Sequence, residues 1–219
     1  GIYENRKSAG NVIDKEAGIL NRGNLTRLKN FLNRAAKGER LTVGFIGGSI
    51  TQGFAATDPD KCYAARTVAW LRKVFPNTEF DYVNAGIGAT NSQFGAARVQ
   101  EDLLCRLPDL VMVEFSVNDH CTPHDMETYE GLIRQIYGSR SCPAMVLLHS
   151  VYYDTGKSAA YYHAQIGRHY DLPCISMQNS IYPAVAAGRL PAEKITADFL
   201  HPNDLSLIHI SEPTRLRCI

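Results

Sequence analysis

With 219 residues, 45% of them hydrophobic and 21% charged, and a formal net charge of +1, the chain has the make-up of a globular protein. A chain of this length forms one domain, or at most two, and buries about 70% of its unfolded surface. No basic block or aromatic-basic ladder offers a track for nucleic acid, and no apolar run approaches the ~20 residues that cross a bilayer, so neither partner is expected. The six cysteines, Cys62, Cys105, Cys121, Cys142, Cys174 and Cys218, include no C-x-x-C pair. Reduced, mostly buried thiols are expected rather than a disulfide framework or a zinc cage.

Residues 1–23 are polar and read as an N-terminal arm, a remnant of another domain or a disordered segment. The opening GIYENRKSAGN carries no recognisable leader and begins at Gly1 rather than Met, leaving room for an upstream segment; the cytoplasm is the expected location. The credible domain covers 24–204. Asn24 can cap a helix in which Leu25, Leu28, Phe31 and Leu32 recur at helical spacing, with Gly38 at its end. LTVGFI (41–46) reads as a buried strand, and the cycle then repeats: helix 63–75, strand 80–85, helix 92–107, strand 109–115, helix 125–138, strand 144–150, helix 157–170 and strand 172–177. Strands that are apolar on both faces and alternate with helices predict a five-stranded parallel sheet covered on both sides. Such sheets bind ligands at the carboxyl ends of their strands, so the loops there are where chemistry is sought.

The first such loop lies in TVGFIGGSITQG (42–53). A phosphate-binding loop needs a lysine where Phe54 stands, and the G-x-S-x-G elbow fails because Thr51 replaces its second glycine. What is left is Ser49 directly after a strand, between glycines that let the backbone turn sharply. By itself this fits a nucleophile and a structural turn equally. The second loop, NAGIGATNS (84–92), fails the dinucleotide fingerprint at Asn91 but is small enough for a backbone amide to approach an oxyanion. The third, FSVND (115–119), offers the Asn118 side-chain NH2, a donor that developing negative charge requires, although asparagine in a turn commonly serves local hydrogen bonding. The last, DFLH, brings Asp198 within a tight loop of His201, a carboxylate and an imidazole spaced to form an acid–base pair.

Other polar residues have plainer readings. In NDHCTPHD (118–125) Asp119, His120, Cys121, His124 and Asp125 are possible metal ligands, but Pro123 interrupts their alignment and no second cluster completes a set. Capping of the next helix by residues near His124 is preferred, and no metal or other cofactor is expected. His149 either lines the pocket or is a hydrogen-bonded structural residue. His163 and His169 are expected on a helix surface. Tyr152, Tyr153, Tyr161 and Tyr162 either stack on a sugar or pack on the core.

Four loop signals in the right order and spacing, spanning 47–201, resemble the SGNH (GDSL-like) hydrolase superfamily. That resemblance implies a flavodoxin-like three-layer α/β/α sandwich and a serine esterase mechanism. Position by position it implies Ser49 as nucleophile and oxyanion amide, Asn118 as oxyanion donor, His201 as base and Asp198 as its orienting acid. The second oxyanion amide falls on Gly88, the nearest glycine, or on Ala89, counting from Asn84. The family's GDSL aspartate is replaced here by Gly48. The expected substrate is a short acyl ester, acetyl above all, on a small molecule or carbohydrate; an acyltransferase to a sugar hydroxyl and a non-catalytic carbohydrate-binding module are the alternatives. The sequence sets no oligomeric state. After Asp204 the segment LSLIHISEPTR resembles the translation of a sequencing adaptor, so residues 205–219 are expected to be artefactual. His209, Ser211, Glu212 and Cys218 then have no functional claim.

Overall fold

The computed structural model describes residues 13–198, 200 and 201. Residues 1–12 of the predicted arm and all of the predicted artefactual tail, including His209, Ser211, Glu212 and Cys218, lie outside the described residues.

The chain runs β1 (Ile19–Asn21), α1 (Thr26–Ala36), β2 (Leu41–Gly47), α2 (Ser49–Gln52), α3 (Tyr63–Val74), β3 (Phe80–Gly86), α4 (Ser92–Asp102), β4 (Leu110–Glu114), α5 (Pro123–Tyr137), β5 (Ala144–His149), α6 (Ala160–His169), β6 (Cys174–Ser176), α7 (Met177–Ser180) and α8 (Tyr182–Ala186). Local chemistry sets these limits. The Asn24 side chain accepts the Thr26 amide at 2.9 Å at the start of α1, and Gly38, at φ +75°, lies just past its end. At α5 the Thr122 hydroxyl accepts the Asp125 amide at 3.1 Å, with Pro123 in the first turn where its missing N–H is harmless.

The described sheet has six strands in the order β1-β6-β5-β4-β2-β3. Strands β2 to β6 are parallel, as expected. The expected count of five is corrected by β1, which pairs antiparallel with the edge strand β6 and lies within the stretch read as an arm. The pairing is fastened by the Ser176 amide on the Gly18 carbonyl at 2.7 Å and by Asn21 Nδ2 on the Leu172 carbonyl at 2.8 Å. An antiparallel strand on an otherwise parallel sheet is a common edge, and it covers backbone groups that would otherwise be left open.

Alternate residues of each strand supply the two halves of the core. Val43, Phe45, Met112, Val146 and Leu148 meet Leu28 and Phe31 of α1 and Tyr63, Val68 and Leu71 of α3. Ile46, Val111, Val113, Met145 and Leu147 meet Val99 of α4, Leu132, Ile133 and Ile136 of α5 and Ile166 of α6. This is the three-layer α/β/α sandwich. Because β2 lies between β3 and β4, the crossovers from β2 to β3 and from β3 to β4 diverge above its carboxyl end, which opens a crevice there.

Candidate active site

Ser49 opens the four-residue helix α2 immediately beyond β2. Glycines let this turn pack tightly against its surroundings. A Cβ on Gly47 would lie 2.2 Å from Thr51 Oγ1 and 2.5 Å from the Glu114 carbonyl, and one on Gly86 would lie 2.4 Å from the Gln52 nitrogen. The helix is then tied down by Thr51 Oγ1 and Tyr63 Oη at 2.8 Å, both buried, and by Asn84 Nδ2 donating to the Thr51 carbonyl at 2.8 Å. Beneath it Arg98, almost wholly buried on α4, donates to the carbonyls of Ala85 at 2.7 Å and Gly47 at 3.3 Å, fastening the ends of β3 and β2.

Three of the sequence-predicted residues form a connected chain. Ser49 Oγ lies 2.8 Å from His201 Nε2, and His201 Nδ1 lies 2.6 Å from Asp198 Oδ2. Partial burial raises the Asp198 pKa, but hydrogen bonds from the His201 ring and from the backbone amides of His201 and Leu200 outweigh it and leave the carboxyl at about 2. Asp198 is thus ionised at neutral pH and fixes the proton of His201 on Nδ1, so that Nε2 is free to accept from Ser49. The Phe54 ring packs on the imidazole with centroids 4.5 Å apart.

Asn118 lies just after β4 and faces the same turn: a Cβ on Gly48 would meet its Oδ1 at 2.5 Å and its Nδ2 at 3.0 Å. Gly48, which stands where the family has an aspartate, is therefore required by the close approach of Asn118. Gly88 is also adjacent, since a Cβ there would lie 3.7 Å from Ser49 Cβ; its amide donates to Gln52 Oε1 at 2.8 Å. Ala89 adopts φ 57°, the left-handed region that a non-glycine residue enters only with strain.

Behind Asn118 the carboxyl of Glu114 is fully buried. Burial raises its pKa, the hydrogen bonds from the Ser116 hydroxyl and amide and the Ser150 amide partly offset this, and it lies at about 7. Glu114 Oε1 accepts from Ser116 Oγ at 2.7 Å and from the Ser116 amide at 3.0 Å, while Ser116 Oγ accepts the Ser150 amide at 2.7 Å. The loops after β4 and β5 are thereby joined.

Several expectations for polar residues are corrected. His163 is buried rather than on the surface, with Nε2 3.0 Å from Asp119 Oδ2 and its ring stacked flat on Tyr129 at 3.5 Å. His149 is fully buried and neither ring nitrogen has a hydrogen-bond partner among the described residues, so it neither lines an open pocket nor is hydrogen-bonded there. Burial, with the neighbouring His163, holds it well below the ordinary histidine range. Of the described cysteines only Cys62 and Cys174 are buried; Cys105, Cys121 and Cys142 are exposed, and all five are free thiols. His169 is exposed, as expected. In the NDHCTPHD cluster Asp125 Oδ2 accepts the His120 amide at 2.6 Å, His124 Nε2 meets Gln93 Oε1 at 3.2 Å, and Asp119 is bonded to His163, so these side chains serve the loop and the next helix. Among the described residues no group of three or more His, Cys, Asp and Glu side chains is arranged to hold a metal ion, and no helix is long and apolar enough to cross a membrane.

Arg98, Thr51, Asn84 and His163 were not singled out as site residues from sequence. His163 left a signal there, because it shares a face of its helix with Ala160, Ala164 and Gly167, where a polar side chain must be bonded.

Comparison with known proteins agrees with this geometry. The model of the GDSL-like lipase/acylhydrolase family matches residues 45–205. Among solved structures the chain is similar to a two-domain esterase active on acetylated mannans, co-crystallised with mannopentaose, at 51% identity and a TM-score of 0.91 over 93% of this chain. It spans 56% of that esterase's length. An acetylxylan esterase from Geobacillus stearothermophilus is similar at 19% identity and a TM-score of 0.65, over 80% of this chain and 92% of that one. An alpha/beta hydrolase enzyme from the metagenome of Lake Arreo, Spain, has the same identity and TM-score over 80% of this chain and 93% of that one. At that identity both show the shared fold alone. No curated protein sequence matches significantly. The Ser49–His201–Asp198 chain lies inside the matched segment, and the protein belongs to the GDSL-like lipase/acylhydrolase family.

Proposed function

We propose that this chain is a serine esterase that removes acetyl groups from polysaccharide, with an acetylated mannan as the substrate. The observation that carries this reading is the unbroken hydrogen-bonded series from Ser49 Oγ through His201 to Asp198 at the mouth of the sheet crevice. Similarity to an esterase active on acetylated mannans supports the substrate.

The steps follow from the donors and acceptors present. His201 Nε2 takes the hydroxyl proton as Ser49 Oγ attacks the acetyl carbonyl, and Asp198 steadies the imidazolium. Charge developing on the carbonyl oxygen is met by the Asn118 side-chain NH2, the Ser49 amide and an amide from Gly88 or Ala89. Gly88 is adjacent to Ser49, and for it to serve, Gln52 must release its amide. His201 then gives its proton to the departing sugar oxygen, which leaves as a hydroxyl as the tetrahedral intermediate collapses to the acetyl-serine. A water, deprotonated by the same nitrogen, attacks the acetyl-serine, releasing acetate and restoring Ser49.

The test is acetate release from acetylated mannan and from an aryl acetate by the whole protein and by Ser49→Ala and His201→Ala. Both variants are expected to lose hydrolysis with an unchanged circular dichroism spectrum. Full activity in either would overturn the nucleophile and base assignments. Transfer of acetyl to an added sugar acceptor in place of release to water would make the protein an acyltransferase.

A further inference from the structure

To act as an oxyanion donor, the Asn118 side chain must be held in one orientation. Asn118 Oδ1 is buried and has no hydrogen-bond partner among the described residues, so the amide group is not oriented through its own oxygen. Its aim must come from the backbone that carries it and from contact with Gly48. That backbone turns on the Phe115 carbonyl, which accepts the amides of Asn118 at 3.1 Å and Asp119 at 2.9 Å.

The next residue is the anchor. The Asp119 side chain is wholly enclosed, and its two oxygens are used in different directions. Oδ1 accepts the amide of Ser92, the first residue of α4, at 2.8 Å. Oδ2 meets His163 Nε2, from α6, at 3.0 Å. A buried carboxylate stays in place only if its lone pairs are satisfied, and here a helix-terminal amide and an imidazole N–H do this. The imidazole is itself immobilised, stacked on Tyr129 of α5 with the two planes 2° apart. The loop that carries Asn118 is thus pinned to α4 and α6 through one carboxylate, and to α5 through the stacked imidazole.

We propose that His163 is a positioning residue for the hydrolysis: through Asp119 it fixes the loop that aims the Asn118 amide at the oxyanion. The inference rests on the proposed role of Asn118. A displacement of about 1 Å in such a group is enough to lower a rate about 10²-fold, which makes an anchor two residues removed from the chemistry consequential.

The experiment is a double-mutant cycle in kcat on the whole protein with an aryl acetate. His163→Leu, which removes the donor, is expected to lower kcat about 10–100-fold with KM changed less than about threefold. His163→Gln, which restores an N–H within reach of Asp119, is expected to recover kcat to within about threefold of the parent. Asn118→Ala alone is expected to lower kcat by about 10²–10³. In that background His163→Leu is expected to lower kcat by less than about threefold further, because the group it aims is gone. If His163→Leu does not fold, His163→Met, which has no donor and a side chain flexible enough to fill the space, takes its place in the cycle. Equal losses in the two backgrounds, or no loss in the Asn118 parent, would overturn the inference while leaving the oxyanion role intact. An Asn118→Ala protein with undiminished kcat would overturn the oxyanion role itself, and the inference with it.

Discussion

Asp198 holds His201 at two points with two different oxygens: Oδ2 meets ring Nδ1 at 2.6 Å, and Oδ1 accepts the backbone N–H of the same residue at 2.7 Å. The second bond fixes the residue and the first fixes its ring, so the three-residue step from acid to base leaves the imidazole little freedom to turn away from Ser49. Asp198→Asn preserves the shape but replaces a fixed acceptor with an amide that can present N–H to Nδ1 and favour the wrong tautomer. Turnover of an aryl acetate is expected to fall by about 10²–10⁴, with near-UV circular dichroism unchanged.

Gly48 and Asn118 are in near contact, and this is where the chain departs from its family's GDSL motif. A methyl group at residue 48 has no room unless the Asn118 amide swings aside. Gly48→Ala is expected to lower kcat about 10²-fold, in the range of losing one oxyanion donor, with little change in melting temperature because the group displaced is the end of a side chain. Gly48→Asp, which restores the family's residue, is expected to do no better. Activity equal to the parent in Gly48→Asp would show that Asn118 has another place to go.

Gly86 presents a contrasting case, because the atoms that a side chain there would meet are backbone atoms of Gln52 and Thr51. Neither can move without shifting α2. Gly86→Ala is expected to destabilise the fold by about 1–3 kcal/mol, read as a fall in melting temperature of about 3–10 °C by calorimetry.

Glu114 predicts a pH dependence of stability. Below its ordinary value of 4.5 the carboxyl is protonated in the folded and unfolded chain alike. Between there and about 7 only the unfolded chain ionises, so unfolding becomes progressively more favourable as pH rises, and above about 7 the penalty is constant. The whole effect is about 3 kcal/mol. Glu114→Gln, whose amide oxygen can still accept from Ser116, is expected to remove this slope, so that the melting temperatures of parent and variant diverge between pH 5 and about pH 8 with the variant higher at the upper end.

The parallel strands were legible because β2, β4 and β5 are apolar on both faces and the strands alternate with helices of ordinary length. β1 was not, since three residues in a polar stretch have no periodicity and the strand exists only because β6 offers an open edge. Ser49, Asn118, Asp198 and His201 were legible from order and residue type. What sequence could not give is the support beneath them. His163 was expected at the surface because histidine usually is, yet Ala160, His163, Ala164 and Gly167 form the buried stripe of α6. Arg98, for which the sequence set no expectation, is likewise buried with Ser92, Gly95 and Val99 on α4. In α6 the spacing is a better guide than the chemistry of the side chain.

The antiparallel edge also bears on when the protein becomes active. Asn21 and the Leu172 carbonyl it bonds are 151 residues apart, and Ser49 and His201 are 152 apart. As the chain leaves the ribosome, β2, β3 and β4 can pair early, but the sheet's far border closes only after the last strand has emerged, and the serine acquires its base later still. Contacts this distant in sequence close slowly, because loop entropy is surrendered before they form. Nascent chains released before residue 201 would contain an ordered nucleophile turn with no proton acceptor, so esterase activity in a translation time course should lag behind the appearance of protease-resistant core.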